Sequence, residues 1–222
     1  MQNEKSKSAL IADDHHLYRS GLSLLLKSQL GFAQVFEAAT LDAALDCLEK
    51  NPELDLALFD LAMPGMSGSG CLAEVRALYP NTKLAVVSAS EEKADVLTAI
   101  EGGLNGFMPK TLSNDQIAVA LRDILGGRIF IPSLVTRAKP RLEKSAKPGS
   151  PLREASDVSE QRRRKDGLTP RQKEVFELVC QGLTNKEIGE RLGISEGTIK
   201  VHISAMLAIL SLRHRTEFLS LR

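Results

Sequence analysis

The 222 residues include no apolar stretch near the ~20 that a membrane-crossing helix needs, and no signal-peptide pattern opens them. The expectation is a cytoplasmic protein with no membrane partner. Cysteine is scarce: Cys47, Cys71 and Cys180 are odd in number and lack metal-ligand spacing, which argues for reduced, mostly buried thiols. Neither sign of charge dominates, with 29 Lys/Arg against 28 Asp/Glu and a net charge of +1. The first 130 residues contain neither Asp-x-Asp nor His-x-x-x-Asp, spacings that a two-metal hydrolase would use.

What is present is unevenly distributed. Apolar content of 43% is enough for a real core. Residues 1–132 hold 11 Lys/Arg and 17 Asp/Glu, a net of −6. Residues 133–165 hold 10 and 4, a net of +6, and residues 166–222 hold 8 and 7, a net of +1. This reads as an acidic domain, a basic tether and a nearly neutral third piece. The tether is rich in Pro, Ser and charge. Pro140, Pro148 and Pro151 speak against a long helix, so a flexible linker over 131–165 is expected between domains at 1–130 and 166–222.

In the first domain, short apolar runs at Ala9–Ala12, Gln34–Glu37, Leu54–Phe59, Leu84–Ser88 and Gly106–Met108 alternate with helical patterns such as Leu41–Lys50 and Gly70–Leu78. That order predicts an α/β fold, a doubly wound five-stranded parallel (βα)5 sheet with strands buried on both faces. Past the tether the pattern turns all-α. Thr169-Pro170-Arg171-Gln172 and Thr184-Asn185-Lys186-Glu187 are capping boxes, Ser195 caps a third helix after Gly193, and a short fourth follows from about Arg213. A four-helix helix-turn-helix domain is expected.

The stretch "ALIADDHHLYRSG" sets Asp13-Asp14-His15-His16 after the first apolar run. Consecutive side chains leaving a strand diverge, so the four cannot close on one ion and a hydrolytic centre is disfavoured. His15 and His16 read as the polar start of a helix. Better partners lie at other strand ends, where functional groups of open parallel sheets collect: Asp60, Ser88 and Lys110. Clustered carboxylates repel unless a hard cation neutralises them, and an oxygen donor set favours Mg²⁺. With a lysine and a hydroxyl beside them, these groups suit the transfer of a phosphoryl group to a carboxylate.

Asp13-Asp14, "DLAMPG" from Asp60, Ser88-Ala89 and "FMPK" ending at Lys110 together resemble a two-component receiver domain, and "DDHHLYRSGL" resembles the opening of its NarL-type subfamily. The resemblance implies Asp60 as phospho-acceptor and Mg²⁺ on Asp13, Asp14, Asp60 and the Ala62 carbonyl. It implies Lys110 and Ser88 on the phosphoryl oxygens, with Phe107 and Ser88 as the switch pair. Phe107 stands where the family often has tyrosine, which keeps the rotamer switch and loses a hydroxyl.

Residues Leu168–Leu207 similarly resemble the LuxR/NarL helix-turn-helix. Ile199, Ile203, Met206 and Leu210 recur at helical spacing as a buried stripe, leaving Gly197, Lys200, Val201, Ser204 and Ala208 on the other face. The resemblance implies Lys200 and Val201 at base edges, Ser204 on the same DNA-facing surface, and Ser195, Thr198 and Lys186 on the phosphate side. Ser204 and Ala208 stand where relatives often carry lysine, so a dimer or the basic tether is expected to add affinity. The run Arg162-Arg163-Arg164-Lys165 reads equally well as a phosphate contact or a solvated linker.

The whole implies a response regulator, not an enzyme. A histidine kinase would phosphorylate it, a homodimer would bind a two-fold operator in double-stranded DNA, and RNA polymerase would be a further partner. A receiver that works independently of phosphorylation is the alternative. An aspartyl-phosphate phosphatase would need a second acid two residues after Asp60, where Ala62 stands; a quorum-sensing regulator would carry a ligand pocket in place of the acidic set. The recognition helix is expected to be partly covered by the first domain until Asp60 is modified.

Overall fold

Each apolar run of the first domain becomes a strand in the computed structural model, which describes residues 6–66, 68–90, 92–132 and 167–221. The strands are β1 (Ser8–Ala12), β2 (Gln34–Ala38), β3 (Leu56–Asp60), β4 (Lys83–Ser88) and β5 (Gly106–Pro109). All pairs are parallel, in the order β2-β1-β3-β4-β5. Parallel neighbours need crossover connections, which here are α1 (His16–Leu30), α2 (Leu41–Lys50), α3 (Leu72–Leu78, after a 3-10 turn at Ser69–Cys71) and α4 (Lys93–Glu101). A fifth helix, α5 (Asn114–Leu125), follows the last strand.

Alternation along the strands sorts the core into two layers. Ala9 and Ile11 of β1 join Leu22, Leu25 and Leu26 of α1 and Ile117, Leu121 and Ile124 of α5. Leu10 and Ala12 face the other way, toward Leu41, Leu45 and Leu48 of α2, Leu72 and Val75 of α3, and Val96 of α4. Local chemistry agrees with this layering. Thr40 caps α2 by accepting from the Ala43 amide, and Ser113 with Gln116 forms a capping box on α5.

The second domain begins with the expected boxes. Thr169 and Gln172 cap α6 (Pro170–Cys180), Thr184 and Glu187 cap α7 (Asn185–Leu192), and Ser195 caps α8 (Glu196–Ile209). Gly193 ends α7 with φ +69°, a left-handed residue that lets the chain turn at once into α8. The fourth element is a 3-10 helix, Arg215–Leu221. Val175, Phe176, Ile188, Ile199, Ile203, Met206, Leu210 and Phe218 form the core, with Phe176 and Phe218 edge to face at 5.6 Å. Most of the expected linker, including Pro140, Pro148, Pro151 and the arginine run, lies outside the described residues. No single helix among the described residues is long and apolar enough to cross a membrane.

Gly189 is where the turn is tightest. A Cβ there would lie 2.6 Å from the Ile194 carbonyl oxygen, which is backbone and cannot swing away. Helix propensity alone would make alanine about 1 kcal/mol better than glycine. The collision should reverse that sign, because overpacking costs roughly 1–3 kcal/mol. Gly189→Ala is therefore expected to lower the urea midpoint of the helical domain, while Glu190→Ala on the exposed side leaves it nearly unchanged.

Candidate functional site

The strand order reverses between β1 and β3, and the two buried carboxylates sit at that point: Asp13 just past β1 and Asp60 at the end of β3. Lys110 follows β5, two strands away from β3. Its amide donates to the Ser88 carbonyl at 2.8 Å, fixing the root of the side chain beyond the end of β4. From there the ammonium reaches Asp13 Oδ2 at 2.7 Å and Asp60 Oδ2 at 2.9 Å. Burial pulls the lysine pKa down, but its bonds to Asp13 and Asp60 and their charges outweigh that and raise it overall. The lysine stays cationic.

Asp60 Oδ1 is buried and has no hydrogen-bond partner among the described residues. One ligand atom each from Asp13, Asp14, His15 and Asp60 falls within 4.8 Å of the others, so three of the consecutive side chains converge instead of diverging, and His16 is not among them. One ammonium against three carboxylates leaves negative charge over, and this oxygen-rich set fits a hard divalent cation. Ala62 is exposed in the turn after β3. His15 is the N-cap of α1, as expected of a polar helix start, and its Nδ1 lies 2.8 Å from Asp14 Oδ1. Ser88 is buried and its Oγ accepts from the Ser90 amide at 3.1 Å, while Phe107 is wholly buried in the core layer of α2, α3 and α4. Sequence reasoning passed over two residues of "DDHHLYRSGL". Arg19 donates to the Asp13 carbonyl at 2.6 Å, and Tyr18 lies with its ring centroid 5.0 Å from Lys110 Nζ.

On α8 the expected inward stripe is buried, but the opposite face is not uniformly open. Lys200 is exposed, with Glu196 Oε1 3.9 Å from its Nζ; Lys186 and Ser195 are exposed, and Ser204 is half-buried. Val201 and Thr198 are buried. Val201 and Ala205 belong to the apolar core of the first domain rather than to that of their own.

Residues 9–122 match the response regulator receiver domain, and residues 166–221 match the luxR family of bacterial regulatory proteins. The glycerol metabolism activator of Pseudomonas putida is 35% identical over 94% of this chain and 91% of its own. The nitrate/nitrite response regulator NarL of Escherichia coli K12 is 32% identical over 98% and 95%. The chain belongs to the NarL/LuxR-type response regulators. A structure of the Salmonella typhimurium response regulator RcsB, 20% identical with a TM-score of 0.56, covers 97% of this chain and 98% of its own and shares the fold. Response regulators of this architecture couple phosphorylation to transcription, with a histidine kinase and DNA as partners. Receiver domains typically bind Mg²⁺ at an acidic pocket, and Asp13, Asp14 and Asp60 form an acidic cluster in this chain.

In this response regulator the receiver covers the DNA-binding domain through α2, α3 and the turn after β3. Glu49 of α2 accepts from the Ser195 amide at 3.0 Å and from Thr198 Oγ1 at 3.4 Å, so a carboxylate rests on the N-terminus of α8. Thr169 Oγ1 donates to Asp42 Oδ2 at 3.0 Å, and Gln172 Nε2 donates to the Gly65 carbonyl at 3.0 Å. Gly197 comes so near Leu78 of α3 that a Cβ would collide with its side chain. His202 Nδ1 lies 3.5 Å from Asp42 Oδ1. Burial first, then the Arg171 charge, pulls the His202 pKa down to about 4, so the imidazole is neutral at pH 7. Burial pushes the Asp42 carboxyl up. None of these receiver contacts has a signal in the primary sequence, because the partners are all more than 100 residues apart.

The lysine bridge also carries stability. Removing it leaves two buried carboxylates facing each other, a change that costs about 3–5 kcal/mol for comparable buried pairs. Lys110→Ala should unfold at lower urea than the native chain, and Asp60→Asn added to it should recover part of the loss. Equal urea midpoints for the native and Lys110→Ala proteins would show that the bridge is dispensable.

Proposed function

We propose that Asp60 is the phospho-acceptor and that its Oδ1, with lone pairs uncommitted, is the attacking oxygen. That buried, unpartnered oxygen beside the Lys110 bridge is the observation that carries the reading. A histidine kinase presents a phosphohistidine. The new O–P bond forms as the N–P bond breaks, and the electron pair returns to the imidazole. Asp13, Asp14, Asp60 and the Ala62 carbonyl would hold Mg²⁺, which supplies charge neutralisation for the arriving phosphoryl oxygens. Lys110 and the Ser88 hydroxyl then bind those oxygens, and Phe107 repacks with Ser88 as the switch. Ala62 stands where an aspartyl-phosphate phosphatase needs a second acid, and the chain carries a DNA-binding domain, so it acts as a regulator and not as an enzyme.

The same reading assigns the output. Lys200, Val201 and Ser204 face the major groove, with Ser195, Thr198 and Lys186 on phosphates. In the packed arrangement Val201 and Thr198 are buried and Ser195 holds Glu49, so the surface that would meet DNA is in part the surface that meets the receiver. Glu49 occupies the anion-favouring end of α8, where a DNA phosphate would otherwise sit. The turn that starts at Asp60 reaches the DNA-binding domain within five residues, at Gly65. Opening a mostly closed equilibrium takes about 3–5 kcal/mol of preference for the open state, within reach of a new dianion at that turn. The chain between Pro132 and Gly167 has enough residues to span packed and separated arrangements. Released in the cytoplasm, two copies bind a two-fold operator and act on RNA polymerase.

Acetyl phosphate with Mg²⁺ should add one phosphoryl group, labile in hydroxylamine, and Asp60→Ala should abolish it; modification persisting in Asp60→Ala by intact-mass spectrometry would falsify the acceptor. Glu49→Gln should raise operator affinity of the unphosphorylated full-length protein about three- to tenfold, as expected for loss of hydrogen bonds to a charged group. It should leave the phosphorylated protein nearly unchanged. Equal affinity of the native chain in both phosphorylation states would sink the closed-state inhibition and favour a receiver that works without phosphorylation.

A further inference from the structure

Tyr18 borders the phosphorylation site without a part in the chemistry assigned to it. It lies in the first turn of α1, half-buried, and packs against the core layer shared with α5. Its ring faces the Lys110 ammonium at 5.0 Å, the distance at which a cation is attracted by the ring quadrupole. Its hydroxyl oxygen is buried with no hydrogen-bond partner among the described residues. Burial first, then the charges of Asp13 and Asp60, hold the phenol in its neutral form.

Lys110 needs such a neighbour. Its long, flexible stem has to bridge two carboxylates before phosphorylation and meet a phosphoryl group after it. Coulomb attraction to Asp13 and Asp60 supplies the strength but little direction, because an ammonium is a point charge with three rotatable donors. A ring face on one side limits where the charge can settle.

We propose that Tyr18 is a positioning residue for Lys110, its ring face holding the ammonium over the Asp13–Asp60 pair in readiness for the phosphoryl group. The phosphoryl part rests on Asp60 as acceptor; the hold on Lys110 does not, and the two are tested separately. The first measurement is a double-mutant cycle of urea unfolding on the unphosphorylated full-length chain, with Tyr18→Leu, Lys110→Met and the pair. Tyr18→Leu should cost about two- to tenfold more in the folding equilibrium with Lys110 present than without it. Additive costs would overturn the proposal. The second is the rate of modification by saturating and limiting acetyl phosphate with Mg²⁺. Tyr18→Leu should slow the saturated rate about three- to tenfold with little change in the half-saturating concentration, and Tyr18→Phe should restore it to within about twofold. Unaltered kinetics in Tyr18→Leu, or a Tyr18→Phe as slow as Tyr18→Leu, would overturn it as well, the latter by placing the effect in the hydroxyl. Coupling in the cycle combined with no phosphorylation of the native chain would retire Asp60 as acceptor and leave Tyr18 as the holder of Lys110.

Discussion

Lys110 joins two buried carboxylates across the end of a strand that contributes neither, and much of the receiver is arranged to make that reach possible. β5 lies beyond β4, so only a long side chain rooted next to β4 can arrive at β3. The Ser88 carbonyl supplies the root by accepting from the Lys110 amide. Asp13 and Asp60 in turn need the parallel order β1-β3, which brings two strand ends together at the point where the strand order reverses. Like charges at that spacing are tolerated because a cation lies between them, and the remaining negative charge is what a hard divalent cation can neutralise.

A second constraint comes from α8. One of its faces closes the helical core through Ile199, Ile203 and Met206; another gives Val201 and Ala205 to the receiver core. A helix that is apolar on both faces has to be covered on both, and in this arrangement the receiver is the second cover. The polar frame around that contact comes from α2, where Glu49 and Asp42 of an acidic domain meet the backbone amide and hydroxyls at the starts of α8 and α6.

The two sites are linked by a short piece of chain. Asp60 ends β3, the turn passes through Met63 and Pro64, and Gly65 accepts from Gln172 in the DNA-binding domain. The Pro64 carbonyl also accepts from the Leu41 amide at the start of α2, the helix that carries Asp42 and Glu49. Gly65 has φ +88° and a Cβ there would crowd Leu41 at 3.1 Å and Thr169 at 3.3 Å, so the turn is a tight joint between three elements. A change of charge at its first residue has little slack to be absorbed in.

Sequence alone determined the things that repeat or cap. Apolar runs separated by amphipathic stretches specify a parallel sheet with two helical layers, since strands buried on both faces leave no polar alternation. Thr169, Thr184 and Ser195 announce their helices because a capping side chain acts within three residues. Asp13, Asp60 and Lys110 were legible as a set because strand ends in such a sheet converge on one edge. Tertiary structure decided the rest, and for one reason: the contacts are long-range. Nothing in the spacing of Val201 says that its outward face is covered by the receiver, or that Glu49 lies at Ser195. Tyr18 reads in sequence as one more residue of a helical face; only the return of the chain at β5 puts Lys110 over its ring.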